Sequence, residues 1–218
     1  MSHTTELRAP QLPPENEMSR RYLRILQRWI PVGAEYFADW PGRPNCGHFF
    51  GGVHWYGNET AAPAEAFAMA SISPEYDEAT TKMSLSDVQR MAVKAVRYLG
   101  FTHDTGPKEC VRPAVGLGRK ENCEKKWGER GRGFFPESQC AIGIAALGRI
   151  ALLLRDLIDD ETWMMVARIH ADYAQRFGGM APGSGVYRNT QMEENGWTAA
   201  GLASSSLFLS RHPKAAQW

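Results

Sequence analysis

The sequence predicts an all-α protein, an array of helical hairpins in which inner and outer helices alternate. Six segments place apolar residues at the i, i+3, i+4 spacing of a helix. No run of alternating apolar and polar residues competes with them, so strands should be few. The segments also alternate in kind: the first, third and fifth carry charged faces, while the second, fourth and sixth are apolar or rich in small residues. A helix with one charged face covers a layer, whereas a helix apolar all round must be enclosed on most sides.

The first segment, Glu17 to Phe37, sets Tyr22, Ile25, Leu26, Trp29 and Ile30 among Arg20, Arg21, Arg24 and Arg28, with Pro31 expected to kink or end its first part. The second runs from about Gly57 to Ile72 on alanines with Phe67 and Met69, and its Pro63 fits only in a first turn. The third starts from Ser84 or Ser86 as N-cap, shows Val88, Met91, Ala92, Ala95, Val96 and Leu99 on one stripe, and ends at Gly100. Periodicity then vanishes over residues 101–135, a long loop broken by eight glycines and prolines from Gly106 to Gly133. The fourth helix, from about Pro136 to Ile158, is apolar nearly all round. The fifth opens at Asp160 with Glu161 in its first turn, carries Val166, Ile169, Tyr173 and Phe177, and stops at Gly178. Arg168, His170 and Asp172 on it read as surface. The sixth, about Thr190 to Ser210, is rich in alanine and serine.

Composition narrows the classes. With 218 residues, 43% of them hydrophobic, the chain has the apolar content for a sizeable core, which excludes intrinsic disorder. Its 25 basic and 24 acidic residues argue against a global attraction to nucleic acid or to a membrane surface. Residues 1–16, with Pro10, Pro13 and Pro14, read as a flexible arm without a targeting signal, and 17–218 as one helical domain. The longest apolar stretch, Ala141 to Leu154, is too short to span a bilayer and contains Arg149. Cys46, Cys110, Cys123 and Cys140 lack CxxC spacing and read as reduced thiols in a cytoplasmic protein.

The three inner helices open alike: Tyr56-Gly57-Asn58-Glu59-Thr60, Phe135-Pro136-Glu137-Ser138-Gln139 and Met192-Glu193-Glu194-Asn195-Gly196-Trp197 each precede an apolar or small-residue run. Inner helices that run parallel would gather these carboxylates, amides and aromatics at one rim. The alternation over Glu17 to Pro213, and the run Thr190 to Trp197 leading into a small-residue helix, resemble the (α/α) toroid domain of heparinase II/III-like polysaccharide lyases. The resemblance implies an (α/α) toroid-like array and a lyase that cleaves uronate-containing polysaccharide by β-elimination, without a cofactor. It places the amide role on Asn195 or Asn58, and the Tyr/His role on Tyr56, His54 or His48. Closed toroids of this kind use about twice the helices found here, so the array is expected to be partial, completed by a second copy or a downstream segment.

The residues themselves point the same way. Within Asn45 to Glu59 lie His48, His54, Trp55, Tyr56, Asn58 and Glu59. Proton abstraction beside a carboxylate needs a base, a proton donor to the leaving oxygen and a group that stabilises the developing charge, which His, Tyr and Asn supply. Trp55 offers a flat face to a sugar ring, and those aromatics serve equally to seal the floor of the helical array. Glu193, Glu194 and Glu137, with Glu59, offer the carboxylate pair of a glycoside hydrolase, although acidic residues at helix starts also simply complement the dipole. Gln139 and Trp197 stand at the same helix starts, and Tyr187 precedes the sixth helix after a glycine-rich turn. In the long loop, Arg112, Arg119, Lys120, Lys125, Lys126, Arg130 and Arg132 outnumber Glu121, Glu124 and Glu129. With Trp127 they form a candidate clamp for an acidic polysaccharide or oligosaccharide. His103 and Asp104 with Cys110 and Cys123 match no zinc spacing, so no metal is expected. A glycan-binding or structural array without catalysis is the reading from a different class.

Overall fold

The computed structural model describes residues 16–52, 58–110, 127–128, 140–179 and 191–218, with the side chains of Gln191, Met192 and Glu194 outside it. Asn16 caps the first helix: its side chain accepts from the Ser19 N–H at 2.9 Å, and the Ser19 hydroxyl oxygen accepts from the Asn16 N–H at 2.8 Å. This reciprocal pair satisfies donors that a helix start leaves unpaired. Helix α1 then covers Glu17–Glu35. Pro31 does not end it. The missing N–H costs one internal bond, and Ile30 and Gly33, buried on either side of Pro31, hold the turn across it.

Two three-residue strands follow, β1 (Phe37–Asp39) and β2 (Gly47–Phe49), paired antiparallel with Ala38 opposite His48. Helix α2 spans Asn58–Ser71. Its Pro63 lies in the second turn, not the first as expected, and is buried there. A four-residue helix, α3 (Glu78–Thr81), leads to α4 (Leu85–Thr102), whose N-cap Ser84 accepts from the Asp87 N–H. Helix α4 runs past Gly100, because Gly100 packs against Met165 of the fifth long helix instead of ending the turn. Next come α5 (Cys140–Leu153), a 3-10 turn at Arg155–Leu157, α6 (Asp160–Phe177) and α7 (Gln191–Phe208). The chain is mostly helical among the described residues, and none of its helices there is long and apolar enough to cross a membrane.

Specific contacts fix the directions. Asn58 meets α5 at Gly143, and Glu65 holds Arg149 through two hydrogen bonds, so α2 and α5 run parallel. Ala141 meets Gly201, and the Ser204 hydroxyl reaches the Ala145 carbonyl at 3.5 Å, so α5 and α7 also run parallel. The other long helices run the opposite way. In α6, Tyr173 lies at Gly201 and His170 at Ser205. The end of α4 lies where α2 starts, since Tyr98 sits under Gly52 and the Thr60 hydroxyl donates to the Gly52 carbonyl at 2.8 Å. Gln27 of α1 donates to the Glu75 carbonyl beyond the far end of α2.

The core lies along α2, α4, α5 and α6, with Phe67, Leu99, Ile144, Leu147, Ile150 and Ile169 wholly enclosed. Each such side chain contributes roughly 1.5–3 kcal/mol by leaving water. Glycines let the parallel helices approach: a Cβ on Gly148 would lie 2.7 Å from both His170 Nε2 and Ser204 Oγ.

Candidate functional site

Because α2, α5 and α7 run parallel, their first turns collect at one end, where α4 and α6 finish and the β1–β2 hairpin folds over.

His48 occupies the middle of β2, with its ring 5.0 Å from that of Tyr98. Tyr98 also meets Trp40 edge-on at 5.2 Å. Its hydroxyl fills the place a side chain on Gly52 would take, and Gly52 has φ +113°, so glycine is required there on both counts. The Thr60 hydroxyl reaches the carbonyls of Phe49 and Gly52 and ties this turn to the first turn of α2. Tyr98 escaped the sequence reading because it lies beside the apolar stripe of α4; the signal available was an aromatic next to Leu99 at a helix end.

Asn58 begins α2. Its side-chain oxygen lies 2.8 Å from the position of a Cβ on Gly143, and the Trp127 ring lies 3.5 Å from the same point. Trp127, expected in a sugar clamp, is corrected here: it is fully buried, its indole N–H donates to the Leu99 carbonyl at 2.9 Å, and its ring meets His103 edge-on at 4.9 Å. A ring enclosed in this way holds the end of α4 and presents no face to a ligand. Glu59, the next residue of α2, is half-buried, and its Oε2 has no hydrogen-bond partner among the described residues. Burial pushes its carboxyl up to about 6, into the range where a group can give or take a proton near neutrality.

On α7, Asn195 is partly exposed and Trp197 packs partly against the core. They precede Gly201, which is level with the start of α5, by four to six residues, so they stand roughly 6–9 Å beyond that start. Glu193 is exposed in the first turn, as a dipole-complementing acid would be.

The surface reading of α6 is corrected in part. Arg168 is exposed, but His170 and Asp172 are buried, because α6 packs on α4, α5 and α7 at once and little of its circumference faces water. Asp172 pairs with Arg176 at 3.1 Å, next to the fully buried Tyr173. His170 Nδ1 lies 2.9 Å from Ser205 Oγ, whose own proton goes to the Gly201 carbonyl at 2.8 Å. Nδ1 therefore carries the ring proton. Burial lowers this histidine to about 3, so it is neutral.

His103 is fully buried and accepts the Thr105 N–H on Nδ1 at 3.1 Å. Among the described residues no three His, Cys, Asp or Glu side chains cluster as metal ligands, and Cys46, Cys110 and Cys140 are buried.

The structure thus brings His48, Asn58, Glu59, Asn195 and Trp197 to one end. His54, Trp55, Tyr56, Arg130, Arg132, Glu137, Gln139 and Tyr187 lie outside the described residues, as do Cys123 and the side chain of Glu194. No family model, curated protein or solved structure matches the chain.

Proposed function

We propose that the protein acts on acidic glycans as a polysaccharide lyase, built on an (α/α) toroid-like array with α2, α5 and α7 inside and α1, α4 and α6 outside. The observation that carries this reading is the shared end of three parallel helices, near which Asn58 and Glu59 of α2 and Asn195 and Trp197 of α7 stand. In β-elimination a base removes the C5 proton of a uronate, the electron pair forms the C4–C5 double bond, and the C4–O bond breaks as its oxygen takes up a proton. His48, His54 and Tyr56 are the base and acid. Asn195 or Asn58 meets the uronate carboxylate, whose negative charge grows as C5 loses its proton. Trp55 and Trp197 provide ring faces, and the basic residues around Arg130 and Arg132 hold the neighbouring acid sugars.

One observation favours a second reading. Glu59, with its carboxyl held near 6, suits the general acid of a glycoside hydrolase, with Glu194 as its partner carboxylate. The two chemistries leave different products. Incubation with uronate polymers is expected to generate the ultraviolet absorbance of an unsaturated uronate, and Tyr56→Phe and His54→Ala are each expected to lower the rate at least about 100-fold with helicity unchanged. New reducing ends without that absorbance identify the hydrolase; retention on an acidic glycan column without turnover identifies a binding protein.

A further inference from the structure

Two cysteines distant in sequence, Cys46 and Cys110, are brought to one turn of α4, where they are 1% and 2% exposed. Cys46 leads into β2; its carbonyl accepts the Trp40 N–H at 2.8 Å, and Trp40 packs edge-on against Tyr98 of α4. Cys110 lies in the turn after α4, its N–H donating to the Pro107 carbonyl at 2.8 Å. Arg43 of the hairpin spans the two segments. Its Nε donates to the Cys110 sulfur at 3.3 Å, and its guanidinium lies 5.4 Å from the centre of the Phe101 ring. Arg97, about one helical turn before Phe101, lies over the same ring at 5.5 Å and reaches the Cys46 side chain. The two sulfurs thus flank one ring and two guanidinium groups, near enough for the charge of one to act on the other. Their surroundings differ. Cys110 receives a charged donor, which a thiolate accepts more strongly than a thiol. Burial instead pushes the Cys46 thiol up to about 11, so it keeps its proton. The Arg43 side chain over Cys110 is itself 37% exposed, so rotation of a surface side chain uncovers that sulfur.

We propose that Cys46 and Cys110 are a redox pair, oxidised by hydrogen peroxide to a disulfide that ties the β1–β2 hairpin to the turn after α4. The Cys110 thiolate sulfur attacks one peroxide oxygen and the O–O bond breaks. Cys110 becomes a sulfenic acid, and the departing hydroxide forms water with the proton that the Cys110 thiol released. The Cys46 sulfur then attacks the Cys110 sulfur, the S–O bond breaks, and the Cys46 proton leaves with that oxygen as a second water. Two thiols lose two electrons, and one peroxide is reduced to two waters. Because β2 carries His48, the new bond fixes the strand that folds over the shared helix end. The proposal stands on sulfur chemistry alone and is independent of the glycan reading.

Peroxide treatment of the full, reduced chain tests it. Of the four cysteine thiols, titrated in denaturant, two are expected to be lost. A non-reducing digest should contain the Cys46 peptide joined to the Cys110 peptide, and dithiothreitol should restore all four thiols. Unfolded in urea before oxidation, the chain should instead favour Cys110 with Cys123, since the shorter loop closes more readily. Cys46→Ser should leave the sulfenic acid on Cys110, where dimedone captures it, and Cys110→Ser should slow peroxide consumption at least about 10-fold. A folded chain that keeps four thiols under excess peroxide, that joins other cysteines instead, or that carries Cys110 on to the sulfinic acid with Cys46 untouched overturns the proposal. So does the same Cys46–Cys110 preference in the urea-unfolded chain, which would show that the fold does not direct the pairing.

Discussion

A Cβ on Gly201 would lie 2.7 Å from the Tyr173 ring and 3.2 Å from the Ala141 Cβ, both held in the core. Gly201→Ala must therefore push α6 or α5 away from α7, and we expect a loss of about 1–3 kcal/mol in urea denaturation. Gly196, five residues earlier in the same helix, would meet nothing within 4 Å. Gly196→Ala should leave stability unchanged or raise it by up to about 1 kcal/mol, since only backbone freedom in the unfolded chain is lost. Two glycines in one helix thus separate by what faces them, and nothing local in the sequence distinguishes them. The same holds for polar groups. His170, Asp172 and Trp127 were misplaced by sequence reasoning because burial depends on how many helices a given arc meets, which is settled by packing between segments distant in the chain. His48 and Asn58 were legible as candidates since a dense run of His, Trp, Tyr and Asn is rare enough to stand out locally.

At the scale of elements, legibility followed periodicity and caps. Helix α4 was readable because its stripe repeats over four turns and Ser84 marks its start; the hydroxyl accepts the Asp87 N–H at 3.1 Å and donates to the Asp87 carboxylate at 2.7 Å. Ser84→Ala should cost about 1 kcal/mol, seen as a lower denaturation midpoint with an unchanged slope, because the cap acts on a helix start that stays folded otherwise. The β1–β2 hairpin was not readable, since three residues cannot show an alternation. The prolines show the same limit of local signals. Pro31 and Pro63 each remove one helical bond, but each sits in a helix whose neighbours, Ile30 or Ala64, are enclosed in the core. Packing outweighs the local loss.

At the scale of the molecule, the alternation of polar-faced and apolar helices was enough to anticipate two kinds of helix, and the register contacts Asn58 to Gly143 and Ala141 to Gly201 supply the parallel direction that no single segment encodes. Buried His170 and half-buried Glu59 then shape how global stability responds to pH. His170 falls from its ordinary value to about 3, so the unfolded chain takes up the proton first. Its contribution is complete above about pH 6.5 and is lost as pH falls toward 3, by up to about 1.4 kcal/mol per pH unit. Glu59 has the opposite sign. Its raised carboxyl favours the folded state below the unfolded value, and that advantage disappears as pH rises through about 6. Because Glu59 keeps solvent contact, its effect is about 1 kcal/mol at most. Between about pH 6 and 4.5 the two oppose each other; below that, the histidine acts together with Asp77, Asp87 and Asp159, whose carboxyls are lowered in the folded chain, and stability falls more steeply. Denaturation midpoints measured from pH 8 to 3.5 should show this break. Glu59→Gln should raise stability at neutral pH by up to about 1 kcal/mol, with the gain fading toward pH 4. His170→Gln, which keeps a side-chain amide for Ser205, should lower stability at pH 7 yet flatten the slope between about pH 6 and 4.5, where the lowered Asp carboxyls do not yet titrate. A variant that retains the wild-type slope would show that another group carries it.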